Sequence, residues 1–209
     1  MTSAPSRLDI SAEVAAITAT LKSRRDPDYE WGMRRTVPSQ QPAHAVRVPM
    51  IQKTAAEWKS AHRDAPNDEV IALADALWAT GWREERRVGI ELVRRYKGAL
   101  AQAGWQRLED WSAGIDNWEL VDHLAEPTGA LLLDEPSLLG RVKTLSKSEN
   151  PWQRRLALVT LIRAFMKGDG SLRGELMAMA ARLQKDPHPL VRRAFVWARD
   201  RLGKDHLDG

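Results

Sequence analysis

Apolar residues recur along the whole chain with the period of an α-helix. Val70, Leu73, Ala74, Leu77 and Trp78 fall at i, i+3, i+4, i+7 and i+8, and Val191, Ala194, Phe195, Ala198 and Leu202 form a similar stripe. No alternating pattern long enough for a strand interrupts them. Asn150 before Pro151 and Asp186 before Pro187 offer a capping side chain followed by a proline suited to the first helical position. The pattern predicts about twelve helices, near residues 11–23, 27–36, 49–63, 67–80, 83–97, 99–111, 116–126, 128–134, 136–147, 151–167, 171–185 and 187–202. Residues 36–48, with Pro38 and Pro42, read as a loop.

Short helices in close succession bury their stripes only by stacking in antiparallel pairs. Trp82 to Arg87, Trp118 to Asp122, Trp152 to Arg155 and Val191 to Arg193 open four helices whose marker residues 87, 122, 155 and 193 are 35, 33 and 38 apart. That spacing fits a two-helix repeat. The last unit, from Asp186 to Ala194, looks like the second helix of a HEAT repeat. The expected fold is therefore all-α: a solenoid of about six antiparallel HEAT-like helix pairs with a concave basic face. With 209 residues, a single domain over 1–209 is expected.

Composition narrows the chemistry. The chain has no cysteine, which excludes a disulfide scaffold, a thiolate zinc site and thiol catalysis. Its five histidines show no metal-ligand spacing, and no GxGxxG, Walker A or GxSxG motif occurs, so neither metal nor cofactor is expected. No apolar run approaches the ~20 residues that cross a bilayer, and the opening residues lack a secretory pattern, so a cytoplasmic protein without a membrane partner is expected. Lys and Arg number 32 against 28 acidic residues, a formal +4. Residues 1–80 are balanced at 10 and 10, so the excess lies in residues 81–209, where arginines pair at 86–87, 94–95, 154–155 and 192–193. Such a balance suits a polyanionic partner, and it also suits plain solubility. Nine Trp beside two Phe and two Tyr is the other departure from ordinary usage.

Three of the four marker positions are arginine and the remaining one is Asp122. On a helical wheel Leu120, Val121 and Leu124 share one arc, whereas Trp118 and Asp122 lie about 40° apart on the opposite side. A Trp and an Asp one turn apart thus share a face that the core does not need. The same spacing suits a Trp filling a gap between repeats and an Asp in an interhelical ion pair. Trp197 projects from the flank of its own stripe, near Arg193, and Trp in such a place needs a ligand or a covering neighbour.

These residues resemble a known family. Asn117-Trp118-Glu-Leu-Val-Asp122 is similar to the N-W-x-x-V-D segment of the HEAT-like alkylpurine DNA glycosylases of the AlkD type. Leu77-Trp78 with Arg83 to Arg86, Asn150 to Arg155 with Ala157, Leu190 to Trp197, and Val46-Arg-Val-Pro49 agree in order and spacing over residues 46–201. The resemblance implies an enzyme that excises cationic N3- or N7-alkylated purines from double-stranded DNA by hydrolysing the N-glycosidic bond. It implies Asp122 as the catalytic carboxylate, Trp118 and Trp197 as flanks of the damaged nucleotide, and Arg155 as support for the DNA or for Asp122. Arg87, Arg154, Arg192 and Arg193 would hold phosphates, and the protein would act as a monomer, associated with the nucleoid when bound to DNA. The sequence departs from the family at Gly32-Met33, where many members have an aromatic before the Met and this chain has Tyr29 and Trp31 nearby, and at Ala45, where the family has Gly. An altered aromatic wall would change substrate preference or mark a paralogue that binds DNA without excising bases. A protein-binding scaffold would need neither the basic face nor Asp122.

Overall fold

The computed structural model describes residues 7–203 apart from Asp169. Over these the chain forms α1 (Ile10–Ser23), α2 (Pro27–Thr36), α3 (Val48–Ala61), α4 (Asn67–Ala79), α5 (Arg83–Arg95), α6 (Lys97–Ala113), α7 (Trp118–Asp134), a 3-10 turn (Pro136–Leu138), α8 (Leu139–Leu145), α9 (Pro151–Lys167), α10 (Arg173–Leu183) and α11 (Pro189–Leu202). No strand occurs among the described residues. The all-helical expectation holds, and the loop between α2 and α3 falls where it was expected.

Other than within α7, helix ends fall within about two residues of the sequence pattern, and two differences from it matter. Residues 116–126 and 128–134 were expected as separate helices, yet α7 runs through Pro127. A proline inside a helix costs ~3 kcal/mol, because it removes one hydrogen bond and crowds the preceding turn. Buried Leu120, Leu124, Leu131 and Leu132 on both sides of Pro127 offset that cost. The last helix begins at Pro189 rather than Pro187, with His188 at its N-cap position, so Asp186 is released from capping for another use.

The chain divides into two compact units, Met1–Ala103 and Gly104–Gly209. The division falls inside α6 at Gly104, whose φ of 68° and ψ of 177° interrupt the helix in a conformation open to glycine. In the first unit α4 and α5 form an antiparallel pair: Arg86 donates to the Trp78 carbonyl near the turn, and Gly89 faces Ala74 further along. A Cβ at Gly89 would lie 3.0 Å from the Ala74 carbonyl oxygen, so glycine is what lets the two backbones approach. Helix α1 packs on α3, α4 and α5, and α3 lies along α5.

The second unit repeats this plan. Arg173 at the start of α10 donates to the Leu202 carbonyl at the end of α11, which makes that pair antiparallel. Helices α7, α9 and α11 lie side by side in parallel, since contacts rise in number on both partners: Asp122 with Arg155, Thr128 with Thr160, then Arg155 with Leu190 and Arg163 with Trp197. The hydrogen-bonded partners are 33, 32 and 35 residues apart. In the first unit Lys59 reaches Arg95 and Tyr96 reaches His62 across α3 and α5, 36 and 34 apart. One repeat length therefore sets both units, as the marker spacing implied.

A buried polar cluster closes the loop onto α5 in the first unit. Glu84 accepts hydrogen bonds from the backbone N–H groups of His44 (2.9 Å) and Val46 (3.2 Å), and Arg83 donates to it at 2.8 Å. Between those two N–H groups sits Ala45, fully buried at φ 59°, in the left-handed region where a Cβ costs about 1–2 kcal/mol. This is the position where the sequence departs from the glycine of the family it resembles. Here the Glu84 carboxylate grips the backbone on either side and holds alanine in glycine's conformation. His44 in turn stacks on Trp82 (centroids 4.1 Å apart) and bonds to Glu85 at 3.0 Å.

Candidate active site

Helix α7 is started by Asn117, whose side chain accepts from the Leu120 N–H at 3.0 Å. Its 100° turn per residue then puts Leu120, Val121 and Leu124 in the core and leaves Trp118, Asp122 and Glu126, each four residues on, half-buried on one line. Helix α9 is started by Asn150, which accepts from the Trp152 N–H at 2.9 Å, with Pro151 in the first turn. The Asn150–Pro151 start works as the sequence indicated, whereas the cap at Asn117 falls one residue inside the helix expected from 116.

Arg155 of α9 meets Asp122 in a two-pronged ion pair, Nε donating to Oδ1 at 2.8 Å and Nη2 to Oδ2 at 2.6 Å. Its remaining Nη1 donates to the Leu190 carbonyl at the start of α11, so one guanidinium joins three successive repeats. The Arg155 side chain is 7% exposed and that of Asp122 17%, so the pair is largely but not fully buried. Each oxygen accepts an N–H, the geometry of the ionised form. Burial raises the Asp122 carboxyl above the usual carboxylate range, against the opposing hydrogen bonds and charge of Arg155 and the charge of Arg163, while Glu119 adds to the rise.

Trp197 is half-buried on α11, and the cation beside it is Arg163 of α9, 4.9 Å from the ring centroid. The sequence pattern suggested Arg193 in that role. Arg193 instead stands exposed, with no ion pair to any described residue. Arg154, next to Arg155, points away from the Asp122 line. Its guanidinium is committed to Asp186 (Nε–Oδ2 2.7 Å, Nη2–Oδ1 2.9 Å) and to the Ser148 and Glu149 carbonyls. Arg192 donates to the Asp186 and Pro187 carbonyls at 2.6 and 2.9 Å. Arg87 is buried in the first unit. Trp118, Asp122, Arg155 and Trp197 thus belong to one stack of three parallel helices, while Arg154 and Arg192 fasten the turn before α11.

Three residues at this site carried no usable sequence signal. Glu126 lies one turn beyond Asp122 and pairs with Arg163 at 3.6 Å. Arg163 faces Trp197 across the repeat, which only the register of α9 against α11 reveals. His188 meets Trp152 edge-on at 5.1 Å, and burial lowers its proton affinity, with the nearby cations of Arg154, Arg155 and Arg192 acting in the same direction and Asp186 against them. The Gly32 stretch lies in the first unit, where Trp31 is 68% exposed under Arg35 and Tyr29 lies under Arg47.

A stack of parallel helices that carries a carboxylate clasped by one arginine, with Trp118 on the carboxylate's own helix and Trp197 on α11, defines a class: helical-repeat proteins with an acidic centre accompanied by tryptophans. The family model for DNA alkylation repair enzymes matches residues 17–209, and the chain belongs to that family. A search of the curated proteins finds no match. Membership supports an enzymatic role in the repair of alkylation damage, with DNA as the substrate. No helix among the described residues is long and apolar enough to cross a membrane.

Proposed function

We propose that the protein is a DNA glycosylase that releases cationic N3- or N7-alkylated purines from double-stranded DNA by hydrolysis, with Asp122 as its catalytic carboxylate. The observation that carries this reading is the state of Asp122: a carboxylate in its ionised geometry, oriented by Arg155, on a side chain that is not fully buried. Two of its roughly four acceptor positions are taken by Arg155, and the others stay available to a sugar or a water. An alkylated purine is already cationic and leaves without a general acid, so one carboxylate suffices where ordinary glycosides need two. Asp122 stabilises the positive charge that develops on the sugar and orients the attacking water; such a term is worth roughly 3 kcal/mol. Trp118 and Trp197 offer ring faces to a cationic base or sugar, for about 0.5–2 kcal/mol. Arg193 and other exposed cations of the HEAT-like helices hold phosphates irrespective of sequence, and the protein acts as a monomer.

A second reading is a DNA-binding paralogue without catalysis, in which the Asp122–Arg155 pair is only an interhelical clasp. The double hydrogen bond between the two side chains favours it. Incubating the wild type with duplex DNA containing N7-methylguanine and measuring free base separates the two. The glycosylase releases base in a single turnover, whereas binding to the methylated duplex with no base released leaves the paralogue.

A further inference from the structure

Arg163 sits where an arginine is poorly served by ordinary solvation. Its side chain is 28% exposed, and its Nε is buried without a hydrogen-bond partner among the described residues. The stem is also fixed. A Cβ at Gly129 of α7 would lie 3.0 Å from the Cβ of Arg163 and 3.2 Å from the Thr160 carbonyl oxygen, so the missing side chain at 129 brings α7 hard against α9 at this level. Beyond that pinned stem the guanidinium lies over the Trp197 ring on one side and 3.6 Å from Glu126 on the other. A buried donor left unbonded is unfavourable, so the position is set by the ring and by Glu126.

We propose that Arg163 is a positioning residue of this site, resting on the glycosylase reading above: held by Glu126 and by the close approach at Gly129, it fixes the Trp197 ring of α11 relative to the carboxylate of Asp122. Helix α9 then frames both halves of the site. Arg155 orients the carboxylate of α7, and Arg163, two turns further on, orients the aromatic wall of α11. Glu126 becomes the anchor that keeps the guanidinium from swinging toward a DNA phosphate.

The test is single-turnover base release from N7-methylguanine duplex DNA, with rates taken as a function of protein concentration. In Arg163→Met the maximal rate should fall about tenfold while the half-saturating protein concentration stays within about threefold of wild type. Arg163→Lys, which keeps a cation over the ring, should recover most of the rate. The double variant Arg163→Met/Trp197→Ala should be no slower than Trp197→Ala alone, because the arginine acts through that ring. An unchanged maximal rate with weaker saturation would make Arg163 a phosphate contact and overturn the proposal, as would losses that simply multiply in the double variant. If Arg163→Met does not fold, Glu126→Gln carries the same test: a maximal rate lowered about threefold at unchanged saturation supports the proposal, and an unchanged rate overturns it. A wild type that releases no base removes the glycosylase reading and this proposal with it, whereas an active wild type with an indifferent Arg163 removes this proposal alone.

Discussion

Arg154 and Arg155 are neighbours on one helix, each grips an aspartate with two parallel hydrogen bonds, and the two aspartates are driven in opposite directions. Asp186, gripped by Arg154, also accepts the His188 backbone N–H at 2.9 Å. Burial by itself would raise its carboxyl, but the Arg154 bonds, that N–H and the surrounding positive charge bring it below the usual carboxylate range. Asp122, gripped by Arg155, has no backbone donor among its influences, and burial wins, raising it. The difference separates a staple from a site. A carboxylate with a third donor from the backbone is settled in its ionised form and fastens the turn before α11, whereas one with only the two arginine bonds is left with acceptor positions unfilled.

The largest stability effect should come from breaking the staple. Asp186→Ala leaves the Arg154 guanidinium partly buried without its partner and should cost about 3 kcal/mol in denaturant unfolding. Base release measured well below the unfolding midpoint should stay near wild type. The pH dependence sharpens the contrast. Asp186 is lowered on folding, so its contribution is present above the unfolded value near pH 4 and is lost as pH falls through the folded value. Asp122 is raised, so its contribution is full below the unfolded value and is lost as pH climbs through the folded one. Comparing wild type with each Asp→Asn variant, the stability cost at Asp186 should grow from pH 3 to pH 7 and that at Asp122 should shrink; parallel slopes would remove the distinction.

A smaller effect separates the arginines. Arg193→Ala should lower the log–log salt slope of DNA binding by about 0.9, one phosphate contact, whereas the slope should not respond to Arg154→Ala in protein that remains folded. The smallest lies in the first unit. Ala45→Gly relieves the left-handed alanine but adds freedom to the unfolded chain, for a net gain of about 0.5 kcal/mol in unfolding free energy.

Much of this was legible from the sequence because it is local. Asn150 announced its helix, the wheel placed Trp118 and Asp122 off the core face, and the marker spacing anticipated the offset between stacked helices. Pro127 misled because a local penalty was outweighed by leucines packing against other helices. The partner of Trp197 was hidden because it depends on the register of α9 against α11, and Arg163 has nothing in its own neighbourhood to distinguish it from other arginines. Arg154 and Arg155 are alike in sequence, and only their direction around the helix sends one to a staple and the other to the site.

On the glycosylase reading, Asp122 stabilises charge on a substrate rather than merely pairing with Arg155. Single-turnover base release from N7-methylguanine duplex DNA by Asp122→Asn, in protein shown to be folded, tests it most directly. Asparagine keeps the size and an acceptor oxygen while removing the charge, so release should fall about a hundredfold or more, with undamaged-DNA binding unchanged or slightly tighter. Release by the folded variant at the wild-type rate would contradict the account.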